Sequence, residues 1–416
     1  MGPDGLKRAR PAVVRLASGS YASVAMSAAD QIGAERARQI RRWLEDRNSL
    51  LVDLLERLVR LESPSDNKAA LDRCAAELAR QWRRLGFSVR VIRQRQAGNH
   101  LLARLPGLTR ARPILLLGHY DTVHPLGTLQ RAPFRRERGR ARGPGALDMK
   151  GGWVIALGAA AALRALHLRP ARPLLALATA DEEIGSPSSR RLIERLARHC
   201  AAVLVLEPAA AGGALKTARK GTGEIELIVH GRAAHAGLHP ERGVNAIHEL
   251  ALQIGRLLRL NTHARGLTLN AGVIEGGTRP NVIPDRARTV MDFRVARMAD
   301  ARALERQLAG LQPILPGARL EVRGGLNRPP MERTQSRALF THARRLGRLL
   351  GLELEEATVG GGSDGNFTAA LGIPTLDGLG AVGDGAHTLE EYVQVRSLPQ
   401  RAALLALLLA SPLPVE

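Results

Sequence analysis

Short, almost wholly apolar segments alternate with amphipathic segments of helical period through the first half of the chain. Residues 113–121, 173–180 and 202–208 are apolar up to the polar residues near their ends, and helical patterns cover residues 151–166 and 188–199 between them. A strand that lacks polar alternation must be covered on both of its faces. The alternation therefore predicts an α/β sheet with helices packed on both sides.

Two helices are predicted before this sheet. An apolar stripe at helical spacing predicts one helix over residues 41–63, which stops at Ser63 and Pro64. A second helix over residues 69–86 is ended by its last residue, a glycine.

The pattern changes in the middle of the chain. A strand with period-2 alternation is followed by a helix, two strands, a second helix and a final strand. This βαββαβ order is the ferredoxin-like arrangement, so residues 221–327 are predicted to form an inserted domain. The other domain is then built from residues 34–220 and 328–416. Residues 1–33 are predicted to be a disordered leader, with Met26 as an alternative start.

The chain is strongly basic, with a formal net charge of +22 and a pI near 11.4. That charge suggests a nucleic-acid partner at first sight. However, 56 of the 61 basic residues are arginines, and they are spread along the chain without a pattern of stacking aromatic residues. We therefore predict no nucleic-acid partner, although the charge agrees with an anionic substrate.

The cysteines and the apolar segments restrict the class of protein further. Cys74 and Cys200 have no CxxC neighbour, which argues against a disulfide framework or a cysteine zinc site. No apolar run is long enough to span a bilayer, and the segment at 151–168 is broken by Arg164. The N-terminal segment has an interrupted apolar region, unlike a signal peptide. We predict a cytoplasmic protein without a membrane partner.

Histidines and acids stand where the predicted strands end. These residues are His119, Asp121, Asp148, Glu182, Glu183, Glu207 and, in a late glycine-rich loop, His387. The carboxyl ends of strands are where open α/β sheets build their sites, although any one of these residues alone could be structural. Histidines with carboxylates suit zinc, or less specifically manganese or cobalt. One shared carboxylate can bridge two ions about 3.5–4 Å apart, and such a pair would stabilise the adjacent acids at 181–183.

The segment Gly361–Gly365 offers a second hypothesis, because it fits the G-x-S-x-G nucleophile elbow. Asp377 and His387 follow Ser363 in the order of an α/β-hydrolase triad. The elbow would lie near the chain end, with little room for the usual sheet after it. It would also leave the acids at the strand ends unexplained.

A series of short motifs resembles, in order, those of the M20 metallopeptidases, and of their glutamate carboxypeptidase branch in particular. The motifs are GHYDTVHP, GPGALDMKGG, DEEIGS, LEP, GRAAHAG, GGTRPNVIP and GGGSDG. The resemblance extends from about Leu51 to the C-terminus. It implies an α/β fold in which a mixed-sheet zinc-peptidase catalytic domain carries an inserted ferredoxin-like lid or dimerisation domain. It also implies two zinc ions per chain, with manganese or cobalt as alternatives, and a homodimer formed through the inserted domain.

The same motifs imply a set of metal ligands. His119 would bind one zinc ion and His387 the other, Asp148 would bridge them, and Glu183 and Glu207 would complete the two sites.

The resemblance assigns catalytic roles to two further acids. Asp121 would hold the metal-binding imidazole in the right tautomer. Glu182 would be the general base that takes a proton from the attacking water and delivers it to the leaving amine. One alternative is that Glu182 and Glu183 are both ligands of one ion. Another is a non-catalytic peptide-binding relative, against which the presence of Glu182 argues.

Further positions match motifs that contact the substrate. They are His235, which would help polarise the carbonyl and often acts across a dimer, Asn281, Arg294, Arg328 and the backbone at Gly361. Arg328 would grip the substrate carboxylate, because a bidentate guanidinium suits that group. For each arginine the alternative is a surface charge, and NRPP departs from the Gly-Arg-Pro run of the carboxypeptidases.

These inferences predict a dinuclear metal-dependent hydrolase that cleaves an amide or peptide bond next to a free carboxylate. We expect a carboxypeptidase that releases a C-terminal amino acid such as glutamate. The alternative is an N-acyl amino acid deacylase of the acetylornithine deacetylase or aminoacylase type. A serine α/β-hydrolase that uses Ser363 is a remote alternative.

Overall fold

The computed structural model describes residues 33–262 and 266–414. Its helices are α1 Ala34–Glu45, α2 Asn48–Val59, α3 Lys68–Arg84, α4 Thr128–Arg131, α5 Gly151–Ala165, α6 Arg190–Ala197, α7 Ala246–Leu258, α8 Met298–Ala309, α9 Arg337–Leu349, α10 Gly365–Ala370 and α11 Ser397–Ala410. Its strands are β1 Ser88–Ile92, β2 His100–Leu105, β3 Ile114–His119, β4 Arg135–Glu137, β5 Arg140–Arg142, β6 Leu174–Thr179, β7 Ala202–Val205, β8 Leu215–Arg219, β9 Gly221–His230, β10 Ala234–His235, β11 Thr268–Gly276, β12 Val282–Ile283, β13 Arg286–Val295, β14 Arg319–Arg328, β15 Glu356–Val359, β16 Thr375–Leu376, β17 Gly383–Asp384 and β18 Tyr392–Gln394. The predicted leader lies outside the described residues, except for Gly33.

A six-stranded mixed sheet has the order β1-β2-β6-β3-β7-β16. β6, β3, β7 and β16 run parallel to one another, whereas β2 is antiparallel to both of its neighbours. The mixed α/β sheet predicted for the catalytic domain is therefore confirmed.

Both faces of this sheet are covered. Along β3, Ile114 and Leu116 belong to the larger apolar core, to which α1, α2, α3, α5, α9 and α11 contribute. Leu115 and Leu117 face the opposite side and pack in a smaller core with α6 and α10. The unbroken apolar sequence of the strand follows from this burial on two sides.

A separate four-stranded antiparallel sheet has the order β11-β13-β9-β14. α7 and α8 pack on it and share a core of their own with its strands, in which Leu250, Phe293 and Leu304 are buried. The βαββαβ succession and this strand order are ferredoxin-like. The predicted domain limits, and a role of this sheet as a lid or dimerisation domain, stay predictions.

The prediction of one helix over residues 41–63 is wrong, because the chain forms two helices there. α1 ends at Glu45 and α2 begins at Asn48. Arg47 leaves the helical conformation, with φ −115° and ψ 17°, and its guanidinium lies 4.3 Å from the Trp43 ring. Asp46 and Asn48 have low helix propensity, so the break falls where local preference is weakest.

α5 is a core helix that packs directly on the chain after β7. In the described part of the chain, the helical stretch Ala146–Ala165 is the one candidate for crossing a membrane by length and composition, and 94% of its most apolar window is buried. A Cβ atom at Gly152 would lie 2.1 Å from the main-chain oxygen of Leu206. Glycine is therefore required for the approach that brings the start of α5 beside Glu207.

His342 on α9 predicts a pH dependence of stability. Its Nε2 lies 2.8 Å from Ser411 Oγ, and burial, together with the nearby Arg345 charge, lowers the pKa of the imidazole to about 4. In the unfolded chain, the pKa of a histidine imidazole is about 6.5. The stabilising contribution is therefore present above pH 6.5 and is lost as the pH falls towards 4.

We expect the free energy of unfolding to fall by about 1–2 kcal/mol more in the wild type than in His342→Gln between pH 7 and pH 5. Urea unfolding of both proteins at the two pH values, with a chelator present throughout, measures this difference. An equal fall in the two proteins would contradict the prediction.

Candidate active site

Three neighbouring parallel strands end at the same edge of the six-stranded sheet. β3 ends at His119, β6 ends just before the acids at 181–183, and β7 ends two residues before Glu207. β3 lies between β6 and β7 in parallel register, so the residues that follow the three strands emerge side by side. The sheet therefore brings together side chains that are far apart in sequence.

Asp148 lies between two histidines. Its Oδ1 is 3.2 Å from Nε2 of His119, and its Oδ2 is 3.4 Å from Nε2 of His387. Glu207 Oε1 is 3.5 Å from Nε2 of His119, and Glu183 Oε2 is 3.3 Å from Nε2 of His387. One carboxylate is thus shared by two groups of potential ligands, and the ligand atoms of each group lie within 4.8 Å of one another.

The donor set of these two groups fits divalent cations. Each group offers one imidazole nitrogen and carboxylate oxygens from two side chains, which are ligands that zinc accepts. Oε1 of Glu183 is buried and has no hydrogen-bond partner among the described residues, which is costly for a carboxylate oxygen unless a cation satisfies it. Glu182 belongs to neither group.

The loop between β17 and β18 presents His387 in a left-handed backbone conformation, with φ 66°. A non-glycine residue in that region costs roughly 1–3 kcal/mol and persists where the surroundings impose it. The carboxylates of Asp148 and Glu183 raise the pKa of His387 to about 10. A metal ion would therefore compete with a proton for this imidazole.

Asp121 is buried and joins the two neighbouring strand ends. Its main-chain oxygen is 3.0 Å from Nδ1 of His119, and its Oδ1 is 3.4 Å from the same nitrogen. Its carboxylate accepts hydrogen bonds from the main-chain N–H groups of Glu182 and Glu183 at 3.2 and 3.1 Å. A hydrogen bond from Nδ1 leaves Nε2 of His119 free to bind a cation.

Glu182 is half-buried beside Arg328. Nη2 of Arg328 lies 2.9 Å from Glu182 Oε1 and 2.9 Å from its main-chain oxygen, and it also reaches Ser186 and Asp364. Burial raises the pKa of the Glu182 carboxyl well above its usual range, and the Arg328 charge opposes this shift. A carboxyl with a raised pKa suits a general base that works near neutral pH.

Asp181, the first of the three adjacent acids, has a structural role. Its Oδ2 accepts hydrogen bonds from the main-chain N–H groups of Ser188 and Ser189, directly before α6. The carboxylate therefore caps the start of that helix.

Glu391 is a residue of the site that the sequence analysis did not identify. Its buried carboxylate accepts hydrogen bonds from the main-chain N–H groups of Gly145, Leu147 and Asp148 at 2.9, 2.7 and 2.9 Å. It also lies 3.0 Å from Nε2 of His124. Glu391 therefore holds the turn that presents Asp148 to the two histidines.

Arg219 on β8 is a second residue that the sequence analysis did not identify. The arginine is buried, and its Nη2 lies 3.3 Å from Glu207 Oε2. Its Nε donates a hydrogen bond to Asp377 Oδ2 at 2.7 Å. Burial alone would lower the pKa of the guanidinium, but Asp377 and Glu207 outweigh that effect and raise it.

The serine-hydrolase alternative is wrong in its geometry. Ser363 is buried, and its Oγ donates a hydrogen bond to Asp377 Oδ2 at 2.7 Å. His387 instead contacts Asp148 and Glu183. Within residues 33–262 and 266–414, no contact joins the serine to this histidine, so the triad is not assembled.

Among the described residues, three of the predicted substrate residues make no contact with the two ligand groups. His235 and Asn281 are exposed and lie on adjacent segments, because the N–H of Ala236 donates to the Asn281 oxygen at 3.0 Å. Arg294 on β13 pairs with Asp292 at 2.9 Å. Gly361 contributes its main-chain oxygen to Arg219 at 3.1 Å.

A mixed α/β sheet with two ligand groups that share an aspartate at its carboxyl edge defines a metal-dependent hydrolase. A family model described as peptidase family M20/M25/M40 matches residues 115–411. The chain belongs to this family and is an M20 metallopeptidase, which confirms the resemblance seen in the motifs.

Relatives of known name cover nearly the whole chain. Carboxypeptidase G2 of Pseudomonas sp. (strain RS-16) is 31% identical over 413 residues, which cover 96% of this chain and 98% of the relative. Succinyl-diaminopimelate desuccinylase of Dechloromonas aromatica (strain RCB) is 27% identical over 373 residues, which cover 85% and 96%. The crystal structure of aminopeptidase PepT from Bacillus cereus ATCC 10987 has a TM-score of 0.73 at 23% identity, over 87% of this chain and 98% of that one. At this identity the structural likeness shows the fold.

The contacts of Glu391 predict that Glu391→Gln weakens metal binding. The amide of glutamine carries no charge, and its NH₂ group cannot accept hydrogen bonds from the N–H groups of the Asp148 turn. Removing a residue that positions a metal ligand typically lowers the metal affinity about 10–100-fold. Competition with a chromophoric chelator measures the affinity for zinc. Glu390→Gln is the matched control, because that neighbouring side chain is 84% exposed. Equal affinities in the two variants would contradict the prediction.

Proposed function

We propose that this M20 metallopeptidase is a carboxypeptidase that hydrolyses an amide or peptide bond next to a free carboxylate. The amino acid released would be a C-terminal residue such as glutamate. The observation that carries the proposal is the position of Asp148 between His119 and His387, each with a glutamate of its own. The identity with carboxypeptidase G2 supports the substrate class.

The two ligand groups would hold one divalent cation each. We assign His119 and Glu207 to one cation, Glu183 and His387 to the other, and Asp148 to both. Zinc is the proposed metal, with manganese and cobalt as alternatives. Cations bound there would polarise the scissile carbonyl and lower the pKa of water.

Glu182 is the proposed general base. It would take the proton of the attacking water and deliver it to the nitrogen of the leaving amine. Two contacts fix its position: Asp121 accepts a hydrogen bond from its main-chain N–H, and Arg328 contacts its carboxylate. Because Glu182 lies outside both ligand groups, its carboxylate stays available for proton transfer.

Arg328 is the proposed partner of the substrate carboxylate. Its Nη2 is engaged by Glu182, Ser186 and Asp364, but its Nε is buried without a hydrogen-bond partner in the described part of the chain. Donors on the same guanidinium therefore remain for a ligand, and a carboxylate would receive charge-assisted hydrogen bonds from them.

Deacylation of an N-acyl amino acid is the alternative function. The desuccinylase relative, which is 27% identical, supports it. Both reactions break an amide bond, so the ligand groups and Glu182 would serve either of them. A hydrolysis screen of dipeptides and N-acyl amino acids, with zinc, manganese or cobalt added, separates the two functions.

A second copy of the chain is the proposed partner of the inserted sheet. β11 is an edge strand that pairs with β13 on one side, and it exposes Val273 and Ile274. An exposed apolar edge strand is suited to pairing with another chain. In a homodimer, His235 and Asn281 would serve the site of the other copy. The substrate contact of Arg294, the cytoplasmic location and the absence of a nucleic-acid or membrane partner stay predictions.

The same substitution, glutamate to glutamine, is predicted to have different effects at the adjacent positions 182 and 183. Glu182→Gln should keep about the wild-type metal content and lower kcat at least about 10²–10⁴-fold, because glutamine cannot accept the proton. Glu183→Gln should lower the metal content, because it removes a charged ligand. Elemental analysis beside kcat measurements tests both variants, and wild type treated with a chelator and then zinc gives the reference for recovered activity. Loss of metal in Glu182→Gln with retention in Glu183→Gln would reverse the two roles.

Arg328→Ala should change two kinetic constants for different reasons. kcat should fall for every substrate, because Glu182 loses its charged neighbour. KM should rise roughly 10–100-fold only for substrates with a free terminal carboxylate, since a charge-assisted contact contributes about 1.5–3 kcal/mol. Steady-state kinetics on a free and an amidated form of one peptide separates the effects. Equal KM values for the variant and the wild type with the free peptide would place the carboxylate site elsewhere.

A further inference from the structure

We propose that Arg219 is a positioning residue that fixes the metal ligand Glu207 and the segment Gly361–Ser363 in one arrangement. The inference rests on the proposed function, because it takes Glu207 as a ligand of the cation shared with His119 and Asp148. Arg219 lies outside every motif that resembles the M20 metallopeptidases.

Every nitrogen of the Arg219 guanidinium has a partner. Nε and Nη2 donate to the two carboxylate oxygens of Asp377 at 2.7 and 3.2 Å. Nη2 also reaches Glu207 Oε2 at 3.3 Å. Nη1 donates to the main-chain oxygens of Gly361 and Gly362 at 3.1 and 3.2 Å. The planar fork of arginine makes all these contacts at once, which the single ammonium of lysine cannot do.

These contacts determine which oxygen of Glu207 faces the other ligands. Oε2 is held by Arg219, so Oε1 is the oxygen that lies 3.5 Å from Nε2 of His119. Asp377 is fully buried, and Glu207 is nearly so. Without the arginine, two carboxylates would be left without their counter-charge, and Glu207 would be free to turn away from the site.

The backbone of Arg219 is also fixed. It pairs with Val359 in the β8–β15 register and exchanges hydrogen bonds with Met331 at 2.9 and 3.0 Å. β9 begins two residues later, and Met331 follows β14 by three residues. Arg219 therefore lies where the chain enters and leaves the four-stranded sheet, and its side chain ties that junction to Glu207.

Ser363 completes the arrangement. Its Oγ donates a hydrogen bond to Asp377 Oδ2, the oxygen that also accepts from Nε of Arg219. The serine of the G-x-S-x-G segment thus orients the acid that orients the arginine. The side chains of Ser363, Asp377 and Arg219 form a continuous connection from the glycine-rich loop to Glu207.

Arg219→Lys tests the proposal by its effect on metal binding. We expect the affinity of one of the two cation sites to fall about 10–100-fold, the usual effect of removing a partner of a ligand. The other site should change much less. Titration of the metal-free protein with Co²⁺, followed by its absorption spectrum, and chelator competition with Zn²⁺ resolve the two binding steps. Glu207→Gln and Glu183→Gln identify which step belongs to which site.

Three further variants control the experiment. Arg333→Lys changes an exposed arginine that also binds a carboxylate, that of Glu356, through two nitrogens, and it should leave both affinities unchanged. Asp377→Asn should lower the metal affinity of the same site as Arg219→Lys. If Arg219→Lys does not fold, Asp377→Asn tests the proposal in its place. The double variant should bind no more weakly than Arg219→Lys alone, because Asp377 acts through the arginine.

Wild-type affinity at both sites in Arg219→Lys and Asp377→Asn would overturn the proposal, and so would equal weakening of the two sites. These measurements do not depend on catalysis. A wild type that binds two cations but hydrolyses none of the peptides or N-acyl amino acids would refute the proposed function, while the affinities of the variants would still decide the role of Arg219.

Discussion

The burial of many carboxylates at one edge of the six-stranded sheet is the constraint on which the rest of the structure depends. Each buried carboxylate loses solvation worth several kcal/mol and repels its neighbours, so each one needs a partner. The partners differ in kind. Asp121 and Glu391 accept main-chain N–H groups, whereas Glu207 and Asp377 share Arg219, and Glu182 and Asp364 share Arg328. Loops from distant parts of the chain are thereby held against the ends of the strands.

Once these pairs are assigned, a small set of oxygens remains. Both oxygens of Asp148, Oε2 of Glu183 and Oε1 of Glu207 lie near the imidazoles of His119 and His387, and Oε1 of Glu183 has no hydrogen-bond partner among the described residues. Imidazoles can balance these charges by taking up protons, but a pair of divalent cations would do so more completely. The position of the proposed metal centre therefore follows from which carboxylate oxygens the protein leaves without an arginine or an N–H group.

Features with a local signal could be predicted from the sequence. The apolar runs of β3, β6 and β7 and the βαββαβ succession predicted both sheets. His119, the acids at 181–183 and Glu207 could be named as candidate site residues because each follows such a run, whereas the roles of Asp148 and His387 rested on the resemblance in the motifs. The break between α1 and α2 was missed, although residues 45–49 carry no apolar side chain and include two poor helix formers, Asp46 and Asn48. β5 could not be predicted from a local pattern, because its partner strand β18 lies more than two hundred residues away in the sequence. Arg219 is one of 56 arginines, and only its tertiary contacts distinguish it. The elbow hypothesis failed for the same reason, because the order of Ser363, Asp377 and His387 in the sequence does not determine which of them touch.

Arg219 and Arg328 are both buried at the site, and they differ in how many of their N–H donors have a hydrogen-bond partner. Arg219 has a partner for every nitrogen, so it has no donor to offer to a substrate. Arg328 concentrates its contacts on Nη2, while its Nε has no hydrogen-bond partner among the described residues and its Nη1 has only a 3.4 Å contact with Asn327. Unpaired donors on a buried guanidinium cost free energy when the arginine has only a structural role. In a site that receives an anion, the same donors are available to bind it. Arg328 also touches Glu182, so an anion bound there would lie beside the proposed base. The geometry therefore favours Arg328 for the substrate carboxylate and Arg219 for support.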